Sequence, residues 1–172
     1  HGVFTGYVNR QDGDKAEDFD GLLARYAFDK PNNVLLVDNY ATGNGIIRGT
    51  PEWIETPERV VGLSFNGRDQ YVELPRCVSD TRNTDISIWV NWNGGEPGQR
   101  IFDFGCDAKN CMYLTPKSES GKAALVMVSN GTTTSVENAA PLPTNTWCKL
   151  IVSIKDKVAT LSVNDTVAAS NT

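Results

Sequence analysis

The side chains able to move protons or attack an electrophile set the first limits on this chain. Its single histidine stands at position 1, which removes the Ser-His-Asp and Cys-His arrangements that activate a hydroxyl or a thiol. A terminal amine beside His1 is half of a copper-chelating set, and no second imidazole exists to complete it. Hard oxygen donors are better represented. Asp38-Asn39-Tyr40-Ala41-Thr42-Gly43-Asn44-Gly45 offers a carboxylate, amides and glycine-flanked carbonyls of the kind calcium takes, and Asp29 is close enough in sequence to add a ligand. The same residues write an Asx-turn with glycines at positive φ, and the sequence leaves both readings open. Asp12 and Asp14 share the opening spacing of an EF-hand, but Ala16 fills the next ligand position and Glu17 the place of the required glycine, so that loop is excluded.

A third chemistry is recognition of a sugar ring, which asks for an aromatic platform flanked by planar polar groups. Asn91, Trp92, Asn93, Arg100, Asp103 and Tyr113 lie on the neighbouring segments WVNWN, RIFDFG and MYLTP and form the candidate ligand face. Arg100 with Asp103 reads equally well as a structural ion pair. Gly94, Gly95, Pro97 and Gly98 make a flexible loop beside this face, or an ordinary hairpin turn.

The elements that must position these groups are strands. From Leu22 onward the chain runs LLARYAFD, VLLVDNYATGNG, LSFNGRDQYVELP, DISIWVNW, QRIFDFG, CMYLTP, KAALVMVS, WCKLIVSI and VATLSVNDTVAAS. These runs are rich in β-branched and aromatic residues and are bounded by Gly, Pro, Asn or Asp. Nearly consecutive strands predict two packed antiparallel sheets, an all-β sandwich. In DISIWVNW, Ile86, Ile88 and Val90 occupy one strand face and Ser87, Trp89 and Asn91 the other, without saying which is inside. PEWIETPERV at 51–60 is the one weak helical pattern; Pro57 interrupts it, and it is read as a loop with a helical turn. Residues 1–21 open on a short strand and then carry five acids between Asp12 and Asp20, read as a solvated connector. The domain is assigned to 22–172.

Charge and cysteine usage bound the setting. With 16 basic and 21 acidic residues, a net charge of −5 and no basic stripe, the chain is not built to neutralise a phosphate backbone. Apolar runs such as VLLV are strand length, far below the roughly 20 residues of a membrane span, so no membrane insertion is expected. Cys77, Cys106, Cys111 and Cys148 allow three connectivities, and no CxxC pair suggests zinc. Cys106 and Cys111 flank the turn DAKN, so a hairpin brings them towards disulfide distance and leaves Cys77 for Cys148; four buried thiols is the alternative. The sequons at Asn130 and Asn164 agree with an oxidising, secretory setting. The chain begins at His1 without a starting Met, and a mature or excised fragment is the expectation.

These segments, in this order, resemble the laminin-G-like group of concanavalin A-type jelly rolls, in the branch often appended to secreted glycoside hydrolases and surface proteins. LARYAFD, DNYATGNGIIRGT, GLSFNGRDQYVELP, DISIWVNW, RIFDFG, MYLTP, PLPTNTWCKLIVSI and VATLSVNDTVAAS carry the resemblance across roughly residues 22–172. It implies that the Asp38–Gly45 loop lies near a structural calcium, and that Trp89 and Trp147 are core aromatics. It also implies a closing strand beyond VATLSVNDTVAAS that pairs with the first strand of the domain. Since the sequence stops at Thr172, the expectation is a fragment of a longer chain, or completion of the sheet by another protein chain. Related glycosidases cluster acids as ExDxxE on one strand, with retaining carboxylates about 5–5.5 Å apart; no such cluster is present. The function expected from all this is a noncatalytic extracellular module that binds a glycan, with calcium in support. The alternative is a structural or adhesive domain making protein contacts.

Overall fold

Alternation of apolar and polar residues decides which side of each strand turns inward. A computed structural model describes residues 2–7, 22–28, 31–40, 43–55, 60–78 and 83–171. The strands are β1 (Gly2–Tyr7), β2 (Leu35–Leu36), β3 (Gly45–Arg48), β4 (Glu52–Glu55), β5 (Val60–Phe65), β6 (Tyr71–Glu73) and β7 (Thr84–Trp92). They continue as β8 (Phe102–Asp107), β9 (Asn110–Thr115), β10 (Ala124–Ser129), β11 (Thr132–Glu137), β12 (Trp147–Lys155), β13 (Val158–Val163) and β14 (Thr166–Asn171). Among the described residues the only helical element is a 3-10 turn at Arg76–Val78, so the all-β expectation holds.

The pairs between strands are antiparallel. One sheet has the order β14-β13-β12-β7-β1-β5-β4; opposite it lie a four-stranded sheet, β11-β10-β9-β8, and a three-stranded one, β2-β3-β6. The short N-terminal strand expected from the sequence is present, and it is central: β1 lies between β5 and β7, with Phe4 opposite both Leu63 and Val90. Three hairpins turn on two residues that both take positive φ, Asn130-Gly131, Asp156-Lys157 and Asn164-Asp165. Such turns match the right-handed twist of the strands they join.

Register builds the core. On β7 and β12, Val90, Ile88 and Ile86 stand opposite Cys148, Leu150 and Val152, and with Leu161 of β13 they pack on Leu114, Leu125 and Val136 of β9, β10 and β11. A second cluster gathers Ala24, Tyr26, Phe28, Leu36, Ile47, Leu63 and Phe65 at the β5 end, and Phe104 packs against both. Leu63, Leu114, Leu125, Leu150 and Leu161 are fully buried, each contributing about 1.5–3 kcal/mol by leaving water.

Four local expectations are corrected. LLARYAFD keeps the alternation of a strand, with Leu22, Ala24, Tyr26 and Phe28 buried, but it forms no named strand, and among the described residues its backbone bonds with Asp38 and Asn39. Arg25 N–H donates to Asp38 Oδ1 at 2.9 Å, Ala27 N–H to Asn39 Oδ1 at 3.2 Å, and Asn39 N–H to the Arg25 carbonyl at 2.7 Å. PEWIETPERV contains β4, paired with β5, and Trp53 fixes it by donating Nε1–H to the Asn32 carbonyl at 3.0 Å. VATLSVNDTVAAS is two strands, because Asn164-Asp165 turns the chain back. The Thr-rich β11 carries no strong apolar signal because most of its side chains are exposed on a strand that ends its sheet.

Candidate functional site

Of the residues proposed for a ligand face, Arg100, Asp103 and Tyr113 come together on the outer side of the four-stranded sheet. Asp103 and Tyr113 are direct cross-strand partners on β8 and β9, while Phe102 and Phe104, one residue to either side, turn inward and stack at 4.9 Å between centroids. Arg100 lays its guanidinium over the Tyr113 ring, 3.1 Å from the centroid, with Nε 3.9 Å from Asp103 Oδ2. The pair is about half-exposed, so its charge attraction alone adds little to stability. Its effect is to hold a planar cation and a carboxylate side by side on an aromatic face, an arrangement able to donate to and accept from a hydroxylated ligand.

The other three proposed residues do not join them. Trp92 faces inward, 7% exposed, and its Nε1–H is satisfied by Gln99 Oε1 at 2.8 Å. The loop between them folds back to allow this. Gly95 sits at φ +148°, and a β-carbon there would lie 2.6 Å from Gln99 Oε1, so the glycine makes room for the amide. Asn91 and the exposed Asn93 continue the opposite, outer face of β7.

Arg100 and Asp103 also rim the main cavity, a cleft of about 750 Å³ that opens where β6 and β8 are not joined. Its floor is apolar and aromatic, with Phe65, Ile86, Val90, Trp92, Phe102 and Phe104. The far rim is β6, where the alternation Tyr71-Val72-Glu73 points Val72 into the core and leaves Tyr71 55% exposed. Glu73 binds Arg48 across the three-stranded sheet at 2.7 and 3.0 Å, and this hydrogen bond and charge raise the guanidinium further above its ordinary value. Tyr71 and Glu73 were absent from the sequence-derived set; the Y-V-E alternation was the available signal, and it needed the neighbouring sheet edge to give it meaning.

The calcium expectation rested on Asp29, Asp38, Gly43 and Asn44. Asp29 lies outside the described residues. The rest close on themselves: Asp38 Oδ1 accepts from the N–H groups of Arg25 and Tyr40 at 2.9 Å each, Oδ2 accepts from Gly43 N–H at 3.2 Å, and Asn44 Oδ1 accepts from Asp38 N–H at 2.9 Å. Among the described residues no three His, Cys, Asp or Glu side chains gather as a metal-holding group. The loop has the form of the Asx-turn alternative.

The disulfide expectation is corrected for the two cysteines whose side chains are described. Cys111 and Cys148 are free thiols; the side chains of Cys77 and Cys106 lie outside the described residues. The hairpin register shifts between Gly105 and Asp107, so Cys111 stands opposite Gly105 and not Cys106. A β-carbon on Gly105 would lie 2.4 Å from the Cys111 β-carbon and 2.8 Å from its α-carbon, so only glycine allows this approach. Cys148 faces the core opposite Val90. Burial raises its pKa, partly offset by a hydrogen bond with Asn164. Asn130 and Asn164, the sequon asparagines, are exposed on hairpin turns whose positive φ favours asparagine by itself.

The family model of the concanavalin A-like lectin/glucanases superfamily matches residues 66–172, and with this fold the chain belongs to that superfamily. Comparison with curated protein sequences gave no match. Among solved structures the chain is similar to domain 4 of AbnA, a GH43 extracellular arabinanase from Geobacillus stearothermophilus, in complex with arabinotriose. The identity is 20% and the TM-score 0.72, over 87% of this chain and 74% of that one, a likeness of fold. An S-layer domain-containing protein from Clostridium thermocellum aligns at 23% identity and a TM-score of 0.47, over 86% of this chain and 71% of that one.

Proposed function

We propose that this chain is a noncatalytic carbohydrate-binding module of an extracellular protein, and that the cleft between β6 and β8 is its sugar site. The observation that carries the reading is the cleft itself: about 750 Å³, within the roughly 300–1,000 Å³ typical of small-ligand sites. An aromatic floor lies under a rim of Tyr71, Glu73, Arg100 and Asp103. Sugar rings present apolar faces and hydroxyl edges, and the floor and rim offer one surface for each. The noncatalytic part rests on the sequence inventory, which supplies no histidine beyond His1 and no ExDxxE cluster. A similar fold solved with arabinotriose makes arabino-oligosaccharides the first probe, and its extracellular parent supports placement outside the cell.

Titration calorimetry with arabinotriose and a panel of neutral oligosaccharides tests this. Binding is expected for at least one of them, and Arg100→Ala is expected to weaken it about tenfold, the size of one hot-spot contact. A wild-type protein that binds none of the panel, or a ligand indifferent to both Arg100→Ala and Tyr71→Ala, would sink the proposal.

A second reading has its own observation. β6 and β8 each end their sheets among the described residues, so both flank the cleft with backbone groups able to pair with an added strand. On that reading the module makes structural contacts, and an extended peptide in place of an oligosaccharide would protect the β6 and β8 amides from hydrogen exchange.

A further inference from the structure

The outer face of the seven-stranded sheet carries a feature that the cleft does not use. Trp89 and Trp147, implied by the family resemblance to be core, are 37% and 38% exposed. Register explains their position. On β7 the inward set is Ile86, Ile88, Val90 and Trp92, so Ser87, Trp89 and Asn91 turn outward; on β12, Cys148, Leu150 and Val152 turn inward, so Trp147, Lys149 and Ile151 turn outward. Trp147 is opposite Asn91 and Lys149 opposite Trp89, which makes the two tryptophans diagonal neighbours whose α-carbons are about 7–8 Å apart by strand geometry.

The polar groups around them narrow the occupant. Lys149 Nζ is held by Asp165 Oδ1 at 2.9 Å and Lys155 Nζ by Asp85 Oδ2 at 3.2 Å, so each charged pair on this side is neutralised within the protein. Among the described residues, Lys149 and Lys155 on this face are thus already paired, which disfavours an anionic chain. Two indoles, each more than a third exposed on the outer face of the sheet, with the exposed amide of Asn93 beyond them, suit rings that are apolar on the face and hydroxylated on the edge.

We infer that the Trp89–Trp147 face is a second sugar-binding platform, which takes an uncharged polysaccharide chain. This rests on the proposed carbohydrate-binding function and adds a site to it. The cleft reaches the inner face of the same sheet, so the two sites lie on opposite sides of it. One module then engages two chains, or two stretches of one chain, and gains affinity through multivalency.

Affinity electrophoresis through gels containing arabinan, xylan or mixed-linkage β-glucan, with titration of the short oligosaccharide that fits the cleft, separates the two sites. The double variant Trp89→Ala/Trp147→Ala is expected to lose about tenfold or more in polysaccharide retardation while its affinity for the short oligosaccharide stays within about twofold. Trp89→Phe/Trp147→Phe, which keeps aromatic rings, is expected to retain most of the retardation, so a folding defect is not mistaken for loss of a site. If wild-type is retarded and the alanine pair is retarded equally, the platform is overturned and the cleft stands. The platform is also overturned if the alanine pair changes only self-association, since the face is then an interface with a second copy. A wild-type protein that binds no glycan in either assay removes the parent reading with it.

Discussion

Replacing Asp38 separates a self-closed loop from a cation site. In Asp38→Ala the N–H groups of Arg25, Tyr40 and Gly43 lose their acceptor, and the first and last of these bonds are partly buried. Counting only those two, at about 1–1.5 kcal/mol net each, the variant loses roughly 2–3 kcal/mol, since the exposed Tyr40 N–H returns to water. Asp38→Asn keeps Oδ1 for Arg25 and Tyr40 but turns an NH₂ towards the Gly43 N–H, a loss of about 1 kcal/mol. With a urea m-value of about 2 kcal/mol/M, the alanine midpoint falls by about 1–1.5 M and the asparagine midpoint by about 0.5 M. Calcium or EDTA is expected to leave the wild-type midpoint unchanged, because a ligand that binds only the folded state must raise it. The reasoning is refuted if Asp38→Ala unfolds within about 0.5 kcal/mol of wild-type, which experiment resolves. It is equally refuted if EDTA destabilises wild-type as much as the alanine does.

Two further outcomes follow from the core. Trp92→Phe removes the bond from Nε1 to Gln99 but keeps a buried ring, and is expected to cost about 1 kcal/mol, whereas Trp92→Ala should cost about 3–5 kcal/mol; equal losses in urea melts would show that the hydrogen bond, not the ring, holds the loop. Burial raises the pKa of Cys148 above the ordinary thiol value of 9.0, so the unfolded chain loses this proton first as pH rises. The sign is therefore fixed: the contribution is whole below about pH 9 and is lost as pH rises through the folded value. Relative to Cys148→Ala, wild-type should lose stability above pH 9 and show no such difference at pH 6–8.

Legibility followed the range of the interactions involved. DISIWVNW and WCKLIVSI were read as strands because alternation is local, and the register of β7 on β12 then brought Val90 against Cys148 and Ile86 against Val152. LLARYAFD misled because its alternation is that of a strand, while among the described residues its backbone bonds with the side chains of Asp38 and Asn39, contacts that no periodicity records. The Thr-rich β11 escaped because an exposed strand at a sheet edge has no face that must be apolar.

The site was harder still, because its meaning depends on which sheet edges remain unjoined. Arg100, Asp103 and Tyr113 were found from residue chemistry and nearness in sequence, and they do meet. Tyr71 and Glu73 are some thirty residues earlier in the chain, and become rim residues only because β6 and β8 face each other across a gap. Trp89 and Trp92 make the same point from one strand. They differ by three positions and so take opposite faces, yet alternation alone does not say which indole enters the core. Deciding it took the register of β12, where Cys148, Leu150 and Val152 choose the inward side and leave Trp89 and Trp147 together on the other.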